Sequence, residues 1–141
     1  MTTVITCTLP PELEATLNQF RFRKSQGHAA LIFKINATTL TYELEEELPQ
    51  TTLEDVAESL PDTQPRYVIL SYEYKHQDQR VSYPLIFVYW SPLNVKPETH
   101  MLYAAAKQGL QQVSGVTKQW DIRDEGCFTD AWMRDKLSFF N

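Results

Sequence analysis

Apolar side chains recur along this chain in two rhythms, every three to four residues and every second residue, and the two alternate to the end without a repeat or a Gly/Ser linker. Leu13, Leu17 and Phe20 fall at helical spacing, and Pro10 and Pro11 suit a first turn, where a missing N–H costs nothing. Arg21, Arg23 and Lys24 close that helix, where cations suit the negative end of the dipole, and Gly27 breaks it. Residues 29–35 and 39–45 predict a hairpin across the polar link Asn36, Ala37, Thr38. Leu40, Tyr42 and Leu44 alternate with Thr41, Glu43 and Glu45, so its second strand has one wet face.

Thr52, with Asp55 three residues on, opens a helix of about ten residues ending near Pro61, with Leu53, Val56 and Leu60 inward. Residues 66–74 and 81–90 predict a second hairpin around residues 76–79. Their nearly continuous apolar runs suit central strands covered on both faces. Pro84 lacks an N–H and implies a bulge or an unpaired rung there. Pro97 starts the longest helix, to about Val113, and residues 117–122 predict a last strand. Thr129 caps a terminal helix with Trp132, Met133, Leu137 and Phe140 inward. The economical α/β (α+β) packing of these elements is one mixed sheet of five to six strands sandwiched between helices.

At 141 residues the chain fits one domain spanning 1–141. Folding at that length removes roughly 68% of the unfolded surface from water. A hydrophobic fraction of 43% and an aromatic fraction of 12% supply a core that needs no disulfide or metal staple. A formal charge of −5 without a basic block disfavours phosphate backbones and anionic membranes as partners. No apolar run approaches the roughly 20 residues that span a bilayer. The start Met1, Thr2, Thr3, Val4 has neither a basic region nor a signal core, which predicts a cytosolic protein. Cys7 and Cys127 then read as buried thiols, and a bridge between them depends on geometry the sequence does not hold.

Catalytic constellations are missing. Glycines 27, 109, 115 and 126 build neither a dinucleotide nor a phosphate loop. His28, His76 and His100 fall on separate elements without metal-ligand spacing, and no serine occupies a nucleophile elbow. Glu43, Glu45, Glu46 and Glu47 read as a solvated strand end. The chain is expected to be no enzyme, to need no cofactor or metal, and to act by binding another protein. The candidate surface is the long helix. On a wheel of about 100° per residue, Leu102, Ala106, Gly109 and Val113 gather toward the core. Opposite them stand His100, Ala104, Lys107 and Gln111, with Met101 and Gln108 on the shoulder. This face is low in charge and carries an adaptable methionine, a residue that often makes contacts. Periodicity alone leaves a plain solvated helix open.

The stretches FRFRK (20–24), QPRYV (64–68), RVSYPL (80–85), KPE (96–98), MLYAAAK (101–107) and FTDAWMRDKLSFF (128–140) together resemble glia maturation factors. These are a branch of the actin-depolymerising-factor homology (ADF/cofilin) superfamily. Trp90, Ser91, Pro92 and the Met-x-Tyr-Ala pattern at 101–104 echo the superfamily as a whole. The resemblance runs in order through essentially the whole chain and implies the gelsolin-like ADF-homology fold. It also implies a monomeric cytoplasmic regulator at cortical actin patches or the leading edge. Such a protein binds the actin-related protein 2/3 complex, chiefly its actin-related protein 2 subunit, inhibits nucleation and dismantles branches, with weak or no actin binding. Cofilins carry two actin-contacting lysines just before the Met-x-Tyr-Ala stretch, where this chain has Glu98 and His100. Glutamate there opposes actin. A cofilin-like filament-binding and severing protein is the alternative. Arg23, Lys24, Arg134 and Lys136 are candidate rim contacts. Vertebrate relatives carry a charged first-hairpin turn, which the resemblance links to a second contact with the branch. Here Asn36, Ala37 and Thr38 are nearly neutral, so that contact is not expected unless the acidic run at 43–47 substitutes for it. Thr2 and Thr3 stand where relatives carry a phosphorylatable serine.

Overall fold

Residues 7–22 and 27–138 are described by the structure, a computed structural model. The elements run α1 (Pro11–Arg21), β1 (His28–Asn36), β2 (Thr41–Thr51), α2 (Leu53–Glu58), β3 (Arg66–Ser71), β4 (Tyr74–Lys75), β5 (Val81–Ser82), β6 (Leu85–Trp90), α3 (Pro97–Ser114), β7 (Lys118–Ile122) and α4 (Asp130–Ser138), with a 3-10 turn at Glu125–Cys127. Five strands form one mixed sheet in the order β2-β1-β3-β6-β7, antiparallel except for the β6–β7 pair.

The sheet is a middle layer because its central strands are apolar on both sides. On one face Leu31, Phe33, Tyr67, Ile69, Phe87 and Tyr89 meet Leu17 and Phe20 of α1 and Tyr103, Ala106 and Leu110 of α3. On the other, Ile32, Val68, Leu70, Ile86 and Val88 meet Leu53 and Val56 of α2 and Met133 and Leu137 of α4. Successive residues of each strand point to opposite faces, so a continuous apolar run feeds two cores. The expected sandwich is therefore present, with five strands in the main sheet.

Both threonine caps form: Thr52 Oγ1 accepts from the Asp55 N–H at 3.1 Å and Thr129 Oγ1 from the Trp132 N–H at 3.2 Å. Pro10 caps α1 and Pro11 opens it. Phe140, expected inward, lies outside the described residues.

Four element boundaries are corrected. The helix expected to reach Pro61 stops at Glu58, where the Ser59 hydroxyl donates to the Asp55 carbonyl at 3.0 Å and proline 61 disfavours helical backbone at Leu60. β2 starts later and runs further than expected, to Thr51, after a turn in which Leu40 adopts φ 52°. The runs 66–74 and 81–90 each divide in two. Pro84 has no N–H for the ladder, although its carbonyl still accepts from the Tyr72 N–H at 3.1 Å. Beyond that break β4 and β5 form a separate two-stranded ribbon.

The acidic run, read as a solvated end, lies inside β2. Glu46 and Glu47 are exposed, but Glu45 Oε2 stands 2.5 Å from Nε of Arg66, whose side chain is only 8% exposed. Arg66 also donates to the Pro65 carbonyl and to Gln64. Cys7 is buried, Cys127 is half-buried, and both thiols are free.

Candidate protein-binding site on the long helix

Helix α3 has clear start and stop signals. Pro97 occupies its first turn, and Gly115 ends it in the left-handed region at φ 72°, where its N–H bonds the Gln111 carbonyl. A side chain at 115 would be strained, and its Cβ would also stand 3.0 Å from the Arg21 guanidinium.

Three bonds from the sheet fix the helix. The Tyr42 hydroxyl donates to the Ala106 carbonyl at 2.6 Å, and the Tyr67 hydroxyl donates to the Tyr103 carbonyl. The Tyr103 hydroxyl accepts the Ile35 N–H at 2.9 Å. Burial pushes the Tyr42 phenol up to about 12, with Cys7 adding to the rise and a bond to the Leu110 backbone opposing it. Burial also pushes the Tyr67 phenol upward, with Tyr42, Tyr89 and Tyr103 contributing. These phenols stay neutral, keep their protons and donate them to the α3 carbonyls.

This anchoring corrects the helix phase. The core face is Tyr103, Ala106, Leu110 and Ser114, whereas Gly109 and Val113 are exposed and Leu102 is half-buried. The wheel was turned by roughly 75° at about 100° per residue. Hydropathy favours Leu102 and Val113 as the inward pair, but buried hydroxyls are stable once bonded. Tyr103 bonds Ile35, and Ser114 donates to the Gln111 carbonyl at 2.7 Å.

The outward face is consequently Met101, 68% exposed, with exposed Glu98, Ala104, Ala105, Gln108 and Gln112. The other three expected contact residues sit on its flank, each half-buried. Nδ1 of His100 lies 3.2 Å from the Ser91 hydroxyl, and Gln111 Nε2 donates to the Val116 carbonyl at 3.3 Å. Lys107 Nζ is 3.7 Å from Asp121 and 5.4 Å from the centroid of the Tyr89 ring. Ala105 and Gln112 were missed through the phase error. Leu93, 79% exposed in the loop before α3, was missed because an isolated leucine between two prolines has no periodicity.

Arg134 and Lys136 are not on the rim of this face, because α4 packs on the opposite side of the sheet. Arg134 stacks 4.9 Å over Tyr74 and donates to the Lys75 carbonyl at 3.0 Å. Lys136 lies 5.5 Å over Trp132. Arg23, Lys24, Thr2 and Thr3 fall outside the described residues. Among the described residues no group of three or more His, Cys, Asp and Glu could hold a metal ion, and no helix is long and apolar enough to cross a membrane.

Residues 6–138 match the family model of cofilin/tropomyosin-type actin-binding proteins. The chain is 41% identical to glia maturation factor beta of Rattus norvegicus over 98% of its own length and 97% of the relative's. It is 37% identical to glia maturation factor of Drosophila melanogaster, covering 93% of this chain and 95% of that one. Its fold superposes on the solution structure of glia maturation factor from Caenorhabditis elegans with a TM-score of 0.81 and 35% identity, covering 96% and 99% of the two chains.

Proposed function

The chain belongs to the glia maturation factor branch of the ADF/cofilin family of actin regulators, and on that premise we propose that it binds the actin-related protein 2/3 complex through the outward face of α3. Bound there, chiefly to the actin-related protein 2 subunit, it inhibits nucleation and promotes debranching in the cytoplasmic actin cytoskeleton. Binding shifts the branch toward dissociation only if the debranched arrangement is bound more tightly than the branched one. This is work for a monomeric surface, and it calls on no catalytic group, cofactor or metal.

The observation that carries this reading is Met101. A large apolar side chain left 68% exposed, beside Ala104 and Ala105, gives a flat patch that a partner can cover. Charge then selects the partner. Glu98 is exposed in the first turn of α3, and His100 is turned into the flank against Ser91. Neither supplies the cations that cofilins present to actin, so the face disfavours actin.

A pull-down with purified actin in one arm and purified actin-related protein 2/3 complex in the other tests the reading. Capture of the complex with little actin is expected. Equal or tighter capture of actin would assign the chain instead to cofilin-like filament binding and severing.

A further inference from the structure

Beside the first turn of α3 lies a pocket of about 300 Å³. Its lining divides by chemistry: Leu93, Val95 and Pro97 are apolar, whereas Ser91, His100 and Arg123 bring hydrogen-bond donors. No carboxylate lines it, in a chain with 18 acidic residues against 13 basic ones. Arg123 is exposed and makes no hydrogen bond or ion pair among the described residues. Two acids near it in sequence, Asp121 and Asp124, are engaged elsewhere. Asp121 accepts from Gln119 at 2.6 Å and faces Lys107, and Asp124 accepts the Gly126 N–H at 2.9 Å.

The remaining groups also favour an anion. In the His100 tautomer that accepts the Ser91 hydroxyl at Nδ1, the ring proton resides on Nε2 and is free to donate. No side chain caps the N-terminus of α3, so N–H groups of its first turn lack helix partners and carry the positive end of the dipole. The one acid of that turn, Glu98, stands about 160° around the helix from His100. The field of Arg123 reaches the sheet: burial raises the Tyr89 phenol, Ser91 and Arg123 oppose the rise, and Asp121 adds to it.

We propose that this pocket receives the carboxylate of an aspartate or glutamate on the protein that docks against α3, an inference that rests on the docking reading above. One fixed positive charge, that of Arg123, matches a monoanion, and a guanidinium holds a carboxylate through two parallel hydrogen bonds. A phosphate at neutral pH carries up to two charges and would leave one unmatched. The apolar lining by Leu93, Val95 and Pro97 suits the methylenes of an acidic side chain. Because His100 flanks the Met101 face, the pocket adds a polar anchor at the edge of an otherwise apolar contact.

The test uses purified actin-related protein 2/3 complex as the probe. Arg123→Gln weakens binding by about tenfold or more, the value of a charge-assisted bidentate contact. Its melting temperature is unchanged, because among the described residues Arg123 makes no hydrogen bond or ion pair for the substitution to remove. Arg123→Lys retains part of the affinity. Its new amine is joined by a carbodiimide to a partner carboxylate, the carbodiimide leaving as a urea and an amide remaining, and mass spectrometry identifies the acidic residue. The native guanidinium yields no such amide.

Native-like affinity for Arg123→Gln overturns the proposal, as does a binding-competent Arg123→Lys that gives no amide at position 123. Phosphatidylcholine vesicles with and without a phosphorylated inositol lipid form a second arm. If Arg123→Gln loses vesicle binding but keeps the complex, the pocket is a phosphate site and the proposal fails. If the native chain does not bind the complex, the docking reading fails first. Native binding that is indifferent to Arg123→Gln removes only the pocket.

Discussion

Met101→Asp separates binding from folding on the long helix. In the free protein the side chain is 68% exposed, so the substitution changes stability by no more than about 0.5 kcal/mol. In the complex the outcome differs. Full burial of a methionine is worth about 1.5–3 kcal/mol, and with two-thirds of the residue still in water before docking, about 1–2 kcal/mol remains to be gained. Aspartate forfeits that gain and brings an unpaired charge to the contact, which raises the loss to about 2 kcal/mol or more. The dissociation constant should rise roughly thirtyfold. Leu110→Asp is the control: Leu110 is 0% exposed, so a charge there should abolish folding. Leu102, half-buried at the margin, should fall between the two. Titration calorimetry against the complex and thermal melting monitored by circular dichroism read the two effects separately. A Met101→Asp protein that melts early, beside a Leu110→Asp protein that folds, would refute the helix phase. Native affinity in a folded Met101→Asp protein would move the interface off α3.

Two further outcomes concern the fold itself. Glu45→Ala leaves the Arg66 guanidinium in a buried position without its carboxylate and should cost about 1–3 kcal/mol, less than a fully buried pair because Glu45 remains partly solvated; urea unfolding measures it, and an unchanged midpoint would show that Gln64 and the Pro65 carbonyl suffice. Alkaline conditions should weaken the fold. The folded Tyr42 phenol titrates at about 12, above the value near 10 of an unfolded chain, so its contribution is complete below pH 10 and is lost as pH rises toward 12. A urea midpoint that stays flat across that window, or a Tyr42→Phe variant that declines as steeply as the native chain, would show that other groups govern the response.

The central strands and the helix starts were legible because their signals are local. The paired apolar faces of β1, β3 and β6 follow from continuous runs, and Thr52 and Thr129 announce their helices within three residues. Pro84 announced the break in its strand, although nothing nearby indicated that the outer segments would pair as a ribbon of their own. What sequence could not supply were partners distant along the chain. Tyr103 faces inward because its hydroxyl meets the Ile35 N–H, 68 residues away. Arg66 is buried because Glu45, two strands over, is there to meet it. The carboxylate pocket likewise required β7 to bring Arg123 alongside the loop after β6, a parallel pairing that neither strand specifies by itself.

The tyrosine bonds that hold α3 to the sheet have a thermodynamic consequence. Two carbonyls on successive turns of the helix, those of Tyr103 and Ala106, are occupied by side chains from β3 and β2. Sliding or rotating the helix would strand buried hydroxyls, each at a cost of about 1–3 kcal/mol. The helix therefore meets its partner with its conformational entropy already spent, and binding free energy is not consumed in ordering it. A rigid face of this kind acts as a template. When the surface on this side cannot yield, any rearrangement that docking demands must be made by the partner.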